Sequence, residues 1–378
     1  MIRREKILWS HGLFGPWLAA LVAWVLVAAP AFAQTLRSET VASGLEHPWS
    51  VAFLPGGHFL VTERPGRMRI VAPGGGIGAP IAGVPAVAAS GQGGLHDVIL
   101  DSGFSSNREL FFCYAESGEG GSGTAVARAR LSADETRLEN LKVIFRQKPK
   151  TTGNLQYGCR IVEAPDGHLF VALGDRFKPR EKAQSLDNDL GKILRITKDG
   201  AHAAGNPFVE NPDALPEIWT YGHRNPQGLT LAPDLSLWET EHGPQGGDEV
   251  NLIRPGLNYG WPVVTYGEEY GGGKIGEGIT HKEGMEQPLH HWTPSIAPSG
   301  MAFVTSDRYG PAMKGNLFVG SLKFRYLARL ELAQGKVARE SRALDVGERV
   351  RDVRQGPDGF LYLLTDETDG RLIRVLPS

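Results

Sequence analysis

Beyond residue 33 the apolar positions fall in short runs bounded by turns, with no long stretch of helical periodicity. One unit recurs: a strand-like run, a turn of the Pro-Asp-Gly kind, a second run, then a third ending in a basic residue. Its sharpest copies are Val51–Thr62, Arg160–Ala172 and Asp352–Leu364, and looser ones begin near Gly94, Gln227 and Ser299. In Arg160–Ala172 and Asp352–Leu364 an Asp-Gly pair supplies the positive φ of a hairpin turn between runs of strand formers. About six units give about 57 residues each, somewhat above the ~40–45 of a minimal four-stranded blade. The surplus lies in Gly- and Pro-rich loops at 177–190 and 266–290. A sandwich or barrel would also show many short strands, but would not explain a copied strand–turn–strand unit. The pattern predicts an all-β chain, a six-bladed β-propeller of four-stranded antiparallel sheets, with 34–378 as a single domain. Residues from Thr35 to Val41 are expected to close the ring by pairing with the last blade.

The first 33 residues read differently. Arg3, Arg4 and Lys6 precede an apolar run from Leu18 to Ala29, and Ala31-Phe32-Ala33 has the small-x-small form of a cleavage site. That order is a secretory signal, and its apolar core is shorter than the ~20 residues of a spanning helix. A periplasmic or secreted protein with no membrane span after cleavage is expected. A net charge of −2 argues against a nucleic-acid-binding surface. Cys113 and Cys159 both lie in apolar strand-like runs, which suits buried thiols and a single bridge equally.

The candidate chemistry is concentrated in three neighbouring stretches, Tyr221–Leu229, Glu241–Leu252 and Asn258–Pro262. Arg224 and Asn225 sit in a Gly/Pro-rich turn. The Gly243-Pro244 backbone then offers carbonyls close in sequence to Asp248 and Glu249, and carbonyls with carboxylates are what Ca²⁺ takes as ligands. Singly, each stretch reads as an ordinary polar loop.

Together, Gly222–Gly228 (Gly-His-Arg-Asn-Pro-Gln-Gly), Glu241–Pro244 and Asp248–Leu252 resemble the signature of the soluble pyrroloquinoline quinone (PQQ)-dependent glucose and aldose sugar dehydrogenases. The resemblance runs from Gly44–Trp49 to Arg371–Arg374. It implies that Arg224 and Asn225 contact the quinone oxygens of PQQ, and that the carbonyls of Gly243 and Pro244 hold the Ca²⁺ bridging to it. It implies sugar contact for Gln92, a place beside the site for Asp248, and for Asp175 the carboxylate that orients the catalytic base. Lys323, Arg349 and Arg351 match the cations that clamp PQQ. A planar tricarboxylate suits fixed guanidinium and ammonium groups, and Arg349 and Arg351, two apart on a strand, are expected on one face. Ser295 matches a family threonine at the cofactor, keeping the hydroxyl. Trp292 is near the family's covering aromatic but displaced by one residue, and a core tryptophan is its plainer reading.

One position departs from the pattern. The family's general base is a histidine in a His-x-Gly-x-Arg segment, and here Gln156-Tyr-Gly-Cys-Arg160 puts Gln156 in its place. An amide exchanges hydrogen bonds but takes no proton at neutral pH. Asp175 could serve as base, directly or through a water. His96 or His242 could have taken over, or the protein could bind PQQ or a sugar without efficient turnover. The rival from another class is a Ca²⁺-dependent lactonase-type propeller, which has no use for Lys323, Arg349 and Arg351. The implied partners are a small-molecule aldose and a periplasmic electron acceptor, and a homodimer is left open.

Overall fold

The computed structural model describes residues 35–378. The expected signal segment, 1–33, lies outside the described residues. Within them the chain forms six four-stranded antiparallel sheets, with one four-residue α-turn at Phe104–Asn107 and one 3₁₀ turn at Arg180–Gln184. Blade 1 comprises Pro48–Phe53, Phe59–Glu63, Arg67–Val71 and Ile77–Pro80, and blades 2 to 5 begin at Leu95, Gly158, Pro226 and Pro298. The first strand of each blade packs against the first strands of its two neighbours, so six inner strands ring a central channel. This is the six-bladed propeller that the repeat predicts.

Blade 6 is built from both ends of the chain. Val350–Gln355, Leu361–Thr365 and Gly370–Pro377 supply three strands, and Leu36–Leu45 pairs antiparallel with Gly370–Pro377 to complete it. The register runs from Leu36 opposite Pro377 to Leu45 opposite Gly370, and Ser378 N–H also donates to the Thr35 carbonyl. The expected closure is therefore present and extends four residues further than Val41.

The repeated turn has a common geometry. In blades 1, 3 and 6 the residue before the turn and the glycine closing it hydrogen-bond alike, with Gly57, Gly167 and Gly359 at φ of 84°, 81° and 86°. Blade 4 uses the same turn with Leu235 at φ 67°, so the motif tolerates a side chain where glycine is the less costly residue. Between blades, alternate strand residues interdigitate; Phe111, Cys113, Val126, Ile161, Val171 and Leu194, for instance, form one buried cluster between blades 2 and 3. Cys113 and Cys159 are bonded there as a disulfide with Cα atoms 5.9 Å apart, which decides between the two states the sequence left open.

Candidate functional site

Every inner strand carries a register slip near its start. The slips fall between Pro48 and Ser50, Leu95 and Val98, Gly158 and Arg160, Pro226 and Gly228, Pro298 and Met301, and Val350 and Asp352. A bulge places an extra residue in the strand and re-aims its side chain. Repeated around the ring, it turns Trp49, His96, Gln227 and Arg351 into the channel mouth, where they line a cavity of about 370 Å³. Loop residues Arg64, Gln92, Asn225, His242, Arg349 and Asp366 complete the wall.

The floor beneath is charged and closed. Asp97 accepts from Ser50 Oγ (2.6 Å), Ile161 N–H (2.9 Å) and Arg354 (2.6 Å). Asp352 meets Arg354 at 3.1 Å and Arg160 at 2.8 Å, the latter a charge contact without hydrogen-bond alignment. Arg160 lies 4.1 Å over the Trp49 ring and donates to the carbonyls of Gln227 (2.6 Å) and Arg351 (3.3 Å). It thus holds three of the bulge residues whose side chains form the mouth.

The mouth has a surplus of positive charge. Arg351 donates to Gln227 Oε1 (2.9 Å) and Asp366 (3.0 Å), Arg349 stands 3.8 Å from the same carboxylate, and His47 Nδ1 reaches it at 2.8 Å. Burial opposes ionisation of Asp366, but Arg351 and its neighbours hold its pKa well below the usual carboxylate range. One carboxylate therefore serves two arginines. Arg349 precedes the strand and Arg351 sits in its bulge, so the simple alternation expected of them does not apply. They reach the same cavity by different routes.

A second cavity, of about 550 Å³, adjoins the first through His242 and Ala297 and is lined by Gly243, Pro244, Ser295, Lys323 and Tyr270. Lys323 is exposed, its ammonium 5.1 Å from the Phe324 ring, and it pairs with no carboxylate among the described residues. Asp248 lies behind this wall. Its carboxylate accepts from Gly243 N–H and Ala297 N–H, both at 2.9 Å, and burial pushes its pKa up to about 6. It therefore ties the Gly243 loop to the Ser295 loop. Trp292 is buried in the core between blades 4 and 5, as its plainer reading has it.

Arg224 and Asn225, adjacent in sequence, face different ways. Asn225 lines the central cavity, its Oδ1 accepting from Gly158 N–H at 3.2 Å. Arg224 points aside and donates to the carbonyls of His242 (2.9 Å) and Gly243 (2.6 Å). Both backbone N–H groups meet the Glu241 carboxylate. Glu241 belongs to a buried acidic group that sequence reasoning missed. His223, Glu239 and Glu241 present ligand atoms within 4.8 Å of one another, and Asn251 donates to both Glu239 (3.1 Å) and Glu249 (3.2 Å). Burial pushes the carboxyls of Glu239 and Glu249 well above the ordinary value, with Glu241 adding to the effect. The signal was available: Glu239 and Glu241 alternate on one strand, opposite Asn251 and Glu249 on the next.

Gln156 and Asp175 lie behind the cavity wall. Gln156 adopts φ 54°, its N–H donates to Gln92 Oε1 at 2.7 Å, and its own buried Oε1 has no partner among the described residues. Asp175 is buried with both oxygens engaged, by Phe177 N–H and by the Trp261 indole N–H, each at 2.7 Å. Burial pushes its pKa up to about 6 against the pull of Arg224. Arg176 and Phe177 follow at φ 65° and 69°, so left-handed backbone gathers at this point, as strain does at functional sites. Of the two candidate histidines, His96 has Nε2 3.0 Å from the Gln92 carbonyl, and His242 has Nε2 2.6 Å from the Pro298 carbonyl. Burial lowers both pKa values to about 3, so both rings are neutral.

Sequence reasoning also missed Trp49, Gln227, Arg64 and Asp366. Trp49, Gln227 and Arg351 each stand six residues before the proline of their blade's turn, Pro55, Pro233 and Pro357. The same repeat thus marks channel-facing positions in blades 1, 4 and 6, while the equivalent residue of blade 3 is the disulfide-bonded Cys159.

Residues 45–374 match the family model described as Glucose / Sorbosone dehydrogenase. The aldose sugar dehydrogenase YliI of Escherichia coli (strain K12) is 45% identical over 357 residues, covering 93% of this chain and 95% of that protein. A solved glucose dehydrogenase superposes with a TM-score of 0.86 at 49% identity, over 89% of this chain and 99% of its own. The PQQ-bound aldose sugar dehydrogenase of Streptomyces coelicolor does so with a TM-score of 0.73 at 28% identity, over 90% and 99%. Fold, motif and match over most of its length agree: this chain belongs to the glucose/sorbosone dehydrogenase family.

Proposed function

We propose that this protein oxidises an aldose at C1 to the lactone, with PQQ as electron acceptor and Ca²⁺ beside it. The observation that carries the reading is the cationic mouth. Arg349 and Arg351 share one carboxylate and Lys323 has none among the described residues, in cavities joined through His242 and Ala297. A planar tricarboxylate fits such fixed donors, and a relative solved with PQQ bound supports the assignment. For the metal, the carbonyls of His242 and Gly243 already turn toward a positive group, the Arg224 guanidinium. The carbonyls of Gly243 and Pro244 would hold Ca²⁺, a hard cation that takes oxygen donors.

When bound, PQQ supplies the two-electron acceptor for the hydride leaving C1, and the chain must supply the rest. Asn225, Arg349, Arg351, Lys323 and Ser295 bind and orient the cofactor. Arg224, turned aside from the central cavity, donates to the Gly243 carbonyl and sets fixed positive charge beside the loop that would carry Ca²⁺. Gln92, exposed on the cavity wall, meets the sugar. A proton must also leave the anomeric hydroxyl. Gln156 cannot take it, and Asp175, with both oxygens engaged, reaches the cavity only through an intervening group. His96 and His242 line the cavity, but with pKa values of about 3 and each Nε2 turned to a backbone carbonyl neither ring is a base matched to neutral pH.

Gln156 favours a second reading, a propeller that binds PQQ or sugar with little turnover, since loss of a general base typically costs ~10²–10⁴ in rate. Either reading places the mature domain outside the cytoplasm after removal of residues 1–33, passing electrons to an acceptor there. The test is dye reduction by the mature protein over a panel of aldoses, with and without PQQ and Ca²⁺, beside a PQQ titration. Turnover requiring both additions is expected, rising on the order of 10²-fold in Gln156→His. PQQ binding without turnover until histidine is restored would establish the second reading, and failure to bind PQQ would overturn both.

A further inference from the structure

The bulge residues of blades 1, 4 and 6 behave alike. Trp49, Gln227 and Arg351 are each passed over by the strand ladder, keep negative φ and turn into the channel mouth. Cys159 is the residue passed over in blade 3, between Gly158 and Arg160. It adopts φ 80° and is fully buried between blades 2 and 3, bonded there to Cys113 on the strand Glu109–Gly118. Left-handed backbone costs a residue with a Cβ what glycine avoids, and it persists where the surroundings over-determine it. The ladder gives Cys159 no cross-strand partner, so the covalent bond is the restraint that acts on this residue itself.

Its neighbours carry much of the mouth. Gly158 lines the cavity, and its N–H donates to Asn225 Oδ1 at 3.2 Å. The Arg160 guanidinium lies 4.1 Å from the Trp49 ring and donates to the carbonyls of Gln227 and Arg351. Tyr157, by contrast, is tied to blade 2 without the bridge. Its carbonyl accepts from Thr124 Oγ1 at 2.8 Å, its hydroxyl is 2.7 Å from Ser122 Oγ, and the Arg176 guanidinium lies 3.4 Å over its ring. Freedom released by loss of the bridge therefore falls on Gly158, Cys159 and Arg160.

We propose that the Cys113–Cys159 bridge is a positioning element for the cofactor site, holding the blade 3 bulge residue out of the channel so that Gly158 fixes Asn225 and Arg160 fixes the strands of Gln227 and Arg351. Returned to negative φ, Cys159 would follow its three counterparts into the channel. That would draw the Gly158 N–H from Asn225 and narrow the cavity of about 370 Å³. A bridge that acted only by closing a loop of the unfolded chain would serve equally at other contacts between these blades. Its place at the bulge residue is what assigns it to the site. The proposal rests on the reading of Asn225 and Arg351 as cofactor contacts.

The test separates position from stability. Cys159→Gly and Cys159→Ala both lose the bridge, but glycine alone adopts a positive φ without penalty. At a temperature where circular dichroism shows each variant folded, the glycine variant should bind PQQ within about twofold of the wild type. The alanine variant should bind about tenfold more weakly, the scale of the left-handed penalty. Equal affinities in the two variants, whether kept or lost, would overturn the proposal. A second readout needs no cofactor: in PQQ-free Cys113→Ala, the lone Cys159 should turn toward the mouth and react with iodoacetamide in the native state. Continued protection of that thiol would also overturn the proposal. If the wild type fails to bind PQQ while Cys159 becomes reactive, the cofactor reading falls and the positioning of the bulge stands.

Discussion

The floor and the mouth of the channel both carry buried or half-buried arginines, yet the two are built on opposite terms. On the floor, Asp97 and Asp352 each meet both Arg160 and Arg354, and backbone N–H groups of Ile161 and Val51 take further carboxylate oxygens. At the mouth, Arg349 and Arg351 share Asp366, and Lys323 has no carboxylate partner among the described residues. A buried charge deprived of its partner costs several kcal/mol. The floor is therefore intolerant of change and needs no ligand. The mouth keeps Lys323 and Arg349 near solvent and holds Arg351 buried against Asp366, and an anion that arrives meets donors already in place.

The largest effect should come from opening the floor. Arg160→Leu strands Asp97 and Asp352 near a single guanidinium and removes the donor to two bulge strands; a loss of about 3–5 kcal/mol is expected in urea denaturation. A change under ~1 kcal/mol would mean that the floor is not the closed network described. Next comes the acidic group around Glu239 and Glu249, an intermediate case in which neither carboxyl pairs with an arginine or lysine among the described residues. Their folded pKa values lie above the ordinary 4.5, so the folded state retains protons that the unfolded chain releases. The contribution of these two carboxyls to stability is thus greatest at low pH and declines as pH rises above 4.5 through the folded values. Between pH 5 and 8 the melting temperature of Glu239→Gln should gain on that of the wild type as pH rises; a constant difference would contradict the assignment.

At the mouth the ranking reverses between stability and binding. Arg349→Ala should change stability by no more than ~0.5 kcal/mol, while weakening PQQ about tenfold, the scale of one charge-assisted hydrogen bond. Equal effects on both would erase the distinction between the two regions. The smallest expected effect is that of salt. Raising ionic strength from ~0.05 to ~0.5 M should weaken PQQ binding several-fold and leave the melting temperature nearly unchanged, because screening reaches exposed charges and spares buried ones.

Much of this was legible in the sequence because repetition is. The Pro-Asp-Gly turns at Asp166-Gly167 and Asp358-Gly359 fix hairpins locally, and the strand at Leu36–Leu45 finds its partner through the same alternation. Of the predicted site residues, Gln92, Asn225, Arg349 and Arg351 line the central cavity, and Gly243, Pro244, Ser295 and Lys323 line the adjoining one. Arg224 faces a hollow between the loops at 177–190 and 266–290, while Gln156, Asp175 and Asp248 sit behind the walls. Which residues face the channel depends on a bulge, and a bulge has no distinct letter code; Trp49 and Gln227 are evident only when the blades are aligned on their turns. The acidic group was legible in strand alternation, whereas the loop hollow was not: it arises from residues brought together across loops, as when Arg180 meets Glu269, and short-range periodicity does not encode such meetings.

The shared sixth blade has a consequence for how the molecule is made. Leu36–Leu45 leaves the ribosome early and has no sheet partner until Gly370–Pro377 has been synthesised. A ring lacking that pairing would leave unpaired strand edges at its seam, and such edges recruit other chains. Locking waits for the pairing of Leu36–Leu45 with Gly370–Pro377. A truncation of even one C-terminal strand should therefore yield aggregation rather than a smaller folded protein, and joining the two adjacent ends with a short linker should allow the ring to be cut open elsewhere.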